Sequence, residues 1–156
     1  MSAPPSTYQT NLSRREEMAV TGTVLSDAPW KLAGAAGVVV TGADLLMHLA
    51  FHLLSFRLEW ATALSMGAVA FFVVAGAGAL VRSRRSRALS WARSRPWRYA
   101  VVPGAATAIV VFALTVLHGS WVGGAVYTAL WHGALAFGLT GMVGSVVRPR
   151  GRKARA

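Results

Sequence analysis

Residues 82–98 read RSRRSRALSWARSRPWR: seven arginines (Arg82, Arg84, Arg85, Arg87, Arg93, Arg95, Arg98) with no acid among them, set between two long apolar blocks. Outward from this stretch the chain holds four such blocks, at residues 32–56, 60–81, 99–117 and 121–147. An α-helix needs about 20 apolar residues to cross a hydrocarbon core of about 30 Å, so each block reads as a membrane span. Strands of a membrane barrel would be about 9 to 11 residues long and alternating, which these blocks are not. The 156 residues are 54% hydrophobic and 13% charged, too apolar for a soluble domain of that length.

The cations orient the spans. Arg14, Arg15 and Lys31 precede the first, the seven arginines separate the second from the third, and Arg148, Arg150, Arg152, Lys153 and Arg155 follow the fourth. Arg57 alone falls in the opposite connections. Positive charge collects on the cytoplasmic side, so both termini and residues 82–98 are expected there. The other two connections are very short, which makes sequential spans antiparallel neighbours. The expected fold is therefore all-α: an integral membrane four-helix bundle of two antiparallel transmembrane hairpins, multi-pass in the inner membrane of a bacterium. The bacterial origin is suggested by the alanine-, valine- and arginine-rich usage.

The expected organisation is a disordered cytoplasmic tail over 1–29, a four-span domain over 30–148 with its basic loop at 82–98, and a basic tail over 149–156. The first 29 residues are polar, and their Arg14-Arg15-Glu16-Glu17 run reads as solvated rather than as a short interfacial helix. They lack the apolar core of a cleavable signal, so the first span is expected to serve as its own insertion signal. Trp30, Trp60, Trp97 and Trp121 fall at span ends, as an aromatic belt requires. Pro103 is expected in the first turn or two of span three, where its missing donor costs little. Glycine recurs along spans one, two and four, which suits close helix packing in lipid.

The net charge of +11 is a product of the segments flanking the spans, and no folded basic domain remains to bind nucleic acid. The partners expected instead are the lipid bilayer, anionic headgroups at residues 82–98, where Trp91 and Trp97 are interleaved with arginine, and other membrane protein subunits. The alternative for 82–98 is that its arginines only enforce topology. Cysteine is absent, which excludes disulfides, thiolate metal sites and cysteine nucleophiles. No serine sits in a nucleophile elbow, no paired carboxylates occur within the spans, and no glycine-rich phosphate loop carries a lysine. These exclusions point away from an enzyme.

The histidines and the acid of the spans are Asp44, His48 and His52 in the first and His132 in the fourth, with His118 just after the third. Asp44 lies 13 residues after Lys31, roughly 20 Å along a helix and so near the bilayer centre, where an ionised acid costs about 2.5–3.5 kcal/mol. Three readings are open. Asp44, His48 and His132 supply a carboxylate and two imidazoles, a ligand set for a transition metal. His48 or His52 facing His132 or His118 makes an axial pair for haem. Alternatively the same residues form a structural network that sets helix register. A further reading is a proton-coupled transporter component that uses the same residues. The function expected is a small polytopic membrane protein acting as a non-enzymatic accessory or structural subunit, with a haem- or metal-binding role as the alternative.

Overall fold

The computed structural model describes residues 13–51, 60–82 and 87–147, and the regular structure among them is helical throughout. In chain order the helices are α1 (Arg14–Ser26), α2 (Trp30–Phe51), α3 (Trp60–Arg82), α4 (Arg87–Ser94), α5 (Pro96–Leu117) and α6 (Val122–Val146). Helices α2, α3, α5 and α6 are each long and apolar enough to cross a membrane. Their 22 to 25 residues extend about 33–38 Å, more than the hydrocarbon core.

Two boundaries differ from the sequence reading by two residues or more. The first long helix starts at Trp30, and the third at Pro96 rather than residue 99. Arg95, which precedes Pro96, sits at φ −130°, ψ 61°, outside the helical region, and Pro96 occupies the first helical position. A proline disfavours helix in the residue before it and suits the first turn after it, so the junction between α4 and α5 is set locally. Because α5 begins early, Pro103 lies inside the helix, past its first turn. Residues 52–56 of the first expected span lie outside the described residues.

A disordered tail over 1–29 does not hold from Ser13 onward, and residues 1–12 lie outside the described residues. Ser13 and Glu16 form a capping box: the Ser13 N–H donates to Glu16 Oε2 at 2.7 Å, and the Glu16 N–H donates to Ser13 Oγ at 3.4 Å. Thr21 and Val24, three residues apart, then bury one stripe of α1. Residues 82–98 are likewise not a plain loop, since they contain α4. Leu89 and Ala92 of α4 join Val24, Ala28, Ala33, Ala75, Ala79, Leu80 and Tyr99 in a buried cluster. Burying about 0.8 kcal/mol per CH₂ equivalent against the ends of the long helices is what orders both short helices.

The long helices pack through small residues. Gly104 of α5 lies against Phe137 of α6, Gly133 against Ala108, and Pro96 against Gly144. Gly37 and Thr41 of α2 lie against Gly67 of α3, while Trp30 meets Phe71 at a ring distance of 5.9 Å. Helix α3 also packs on α5 and α6, with Gly76 wedged between Pro103 and Thr140. Helix α2 has no such second neighbour: among the described residues it packs on α3 and forms no interface with α5 or α6.

Candidate functional site

Asp44 and His48 stand one turn apart on the face of α2 that carries Gly37 and Thr41 toward α3. His48 Nδ1 lies 2.9 Å from the Asp44 carbonyl oxygen and 3.3 Å from Asp44 Oδ2. A carbonyl oxygen only accepts, so Nδ1 carries the proton and donates to it. Both side chains are mostly buried. Asp44 Oδ2 is closed off and has no hydrogen-bond partner among the described residues.

His132 repeats the arrangement on α6. Its Nδ1 lies 2.8 Å from the Thr128 carbonyl oxygen, which again assigns the proton to Nδ1 and leaves Nε2 as the acceptor. The side chain is 7% exposed, and Nε2 is enclosed without a partner among the described residues. It belongs to the buried face of α6 formed with Ala125, Ala129, Gly133, Ala136 and Thr140. His118 lies elsewhere. It is exposed at the end of α5, with its ring edge-on to Trp60 at 4.9 Å and 88°.

The structure thus joins Asp44 to His48 and keeps both from His132, because α2 and α6 share no interface. Among the described residues no three His, Asp or Glu side chains come together around a point where an ion could sit. Neither the Asp44, His48, His132 set nor a His48–His132 pair is assembled within one copy. His118 is separated from His132 by about 15 Å of α6, counting ten residues from Val122. His52 lies outside the described residues.

A second polar region, at the end of the molecule that carries α1 and α4, escapes the sequence reading. Arg93 donates from Nη2 (2.7 Å) and Nε (3.1 Å) to the carbonyl of Leu80, near the last turn of α3. Arg98 donates to Glu17 Oε1 at 2.6 Å, and Arg95 approaches the same oxygen at 3.7 Å. The Tyr99 hydroxyl donates to the Gly76 carbonyl at 3.0 Å, pinning α5 to α3. The capping box of Ser13 and Glu16 was the signal that α1 exists. Nothing in the sequence shows that Glu17, 81 positions from Arg98, would face it.

No protein-family model matches the chain, and no curated protein or solved structure matches it.

Proposed function

We propose that the chain is a small multi-pass membrane protein that acts, without catalysis, as a subunit of a larger membrane assembly. In this reading its four long helices form two antiparallel hairpins of a bundle in a bacterial inner membrane. The termini and the basic residues 82–98 face the cytoplasm beside anionic headgroups. The observation that carries the subunit role is the packing of α2: 11% of its apolar window is buried, against 33–39% for the other three long helices. An apolar groove of about 660 Å³ runs between α2, α3 and α5, with Thr41 as the polar side chain in its lining. Gly34 and Gly42 of that lining have open space where a side chain would project. Lipid offers no hydrophobic drive between helices, so a groove shaped by small residues suits close contact with another helix. Extraction in mild detergent and native sizing should show the chain migrating within a larger complex, and a stable isolated monomer would overturn the proposal.

A second reading, haem or metal binding, is favoured by one observation, the buried and unpartnered Nε2 of His132. Imidazole held by an Nδ1–H bond to a backbone carbonyl is the form in which histidine ligates through Nε2. Since α2 does not reach α6, further ligands such as Asp44 and His48 would have to come from a neighbouring copy. Purified protein lacking both Soret absorbance and bound transition metal would remove this reading.

A further inference from the structure

We infer that the groove between α1, α4 and α5 is a site for one anionic glycerophospholipid, its phosphate held by Arg14 and Arg98 and an acyl chain laid along α5. The inference rests on the membrane reading above and sharpens its expectation of anionic headgroups at residues 82–98, adding α1, which lies outside that segment. The groove has a volume of about 830 Å³ and is polar at one end and apolar at the other. Arg14, Glu17 and Arg98 line the groove with Trp91, and Met18 and Thr21 of α1 and the 101–109 stretch of α5 (Val101, Val102, Ala105, Ala106, Ile109) line the rest.

Length, charge and hydrogen bonding select the occupant. From Arg98 to Ile109 is 11 residues, about 16 Å of helix, and half of a 30 Å hydrocarbon core is about 15 Å, so the apolar wall is one leaflet deep. A free phosphate or a soluble anion would have no use for that wall. Glu17 is the acid in the lining, and it is engaged by Arg98 and Arg95. Two guanidinium groups in the lining (Arg14, Arg98) against one carboxylate leave an excess of one positive charge, and Arg95 beside Glu17 adds to it, which favours an anionic over a zwitterionic headgroup. The Trp91 Nε1–H is enclosed and has no acceptor among the described residues. The indole ring of Trp91 therefore contributes to the groove as an apolar wall, and the phosphate is left to the two arginines. Val101 and Ile109 are 55% and 69% exposed, so the wall is open to a chain arriving from the bilayer.

The test is native mass spectrometry of the full-length protein in detergent, with phosphatidylglycerol or phosphatidylcholine of matched chains added. One phosphatidylglycerol per chain should be retained in preference to phosphatidylcholine. Replacing Arg14→Ala and Arg98→Ala should each weaken retention about five-fold. Ile109→Trp, which keeps every charge and touches no ion pair, should also reduce it by filling the wall. Arg84→Ala with Arg85→Ala, a control for diffuse attraction to the loop, should leave it unchanged. Equal retention of the two lipids, or indifference to Ile109→Trp, would overturn the site. Loss only in the Arg84 and Arg85 variant would overturn it while leaving the general headgroup reading intact. Displacement of the lipid by an equal concentration of glycerol phosphate would show a headgroup-only anion site and overturn the lipid assignment.

Discussion

Gly67 is where α2 and α3 come closest. A side chain there would strike the Thr41 hydroxyl and lie 2.9 Å from the Gly37 carbonyl oxygen, which is backbone and has no rotamer to change. Gly67→Ala should therefore push α2 away and cost about 1–3 kcal/mol, read as a lowered thermal midpoint in detergent. Gly34→Ala, on the same interface but with open space beside it, should leave the midpoint unchanged or raise it slightly. If both substitutions behaved alike, the close approach at Gly67 would not be what holds α2. At the same scale, Asp44 and His132 show that an intramembrane polar residue is read easily as costly and much less easily as paired. The carbonyl partner of each imidazole lies four residues back, where any helical histidine can reach it. Whether Asp44 Oδ2 and His132 Nε2 find a hydrogen-bond partner across the fold depends on which helices meet, and among the described residues neither does.

Helices α1 and α4 depend on tertiary contact. An eight-residue helix such as α4 is too short to persist alone in water. Its hold on the core is the Leu89 and Ala92 stripe together with the Arg93 guanidinium on the Leu80 carbonyl. Hydrogen bonds from a charged donor to a partly buried acceptor are worth about 1.5–3 kcal/mol, so Arg93→Ala should loosen α4 by roughly that amount. Arg93→Lys should fail to restore it, because an ammonium cannot reproduce the two-nitrogen donation of the guanidinium. Amide hydrogen exchange over residues 87–94 reads the effect directly, and unchanged protection in Arg93→Ala would show that the apolar stripe suffices. The Glu17 pairs with Arg95 and Arg98 are more exposed and contribute at most about 1 kcal/mol each.

At the scale of the whole molecule, α3 is the hub and α2 the outlier, an asymmetry that leaves one flank open along the 660 Å³ groove. Orientation across a bilayer is a separate question, and the absence of cysteine makes it simple to measure. In intact cells a membrane-impermeant maleimide should label Ser120→Cys, in the turn between α5 and α6, and should spare Ser94→Cys, at the C-terminal end of α4, until the membrane is opened. The reverse pattern would invert the proposed topology.

Four long apolar helices, their spacing and the concentration of cations in the segments between and after them followed from the sequence alone, because segment length and charge are properties of the chain itself. The start of α1 was legible too, in the Ser13 and Glu16 spacing, although its composition argued the other way. Tertiary structure decided which helices touch. It kept Asp44 and His48 apart from His132, and it closed Glu17, Arg98 and Trp91 around one groove. The reason is physical: in an apolar helix all faces look alike, so the packed face is chosen by small-residue fit against particular neighbours, as at Gly67 and Gly133.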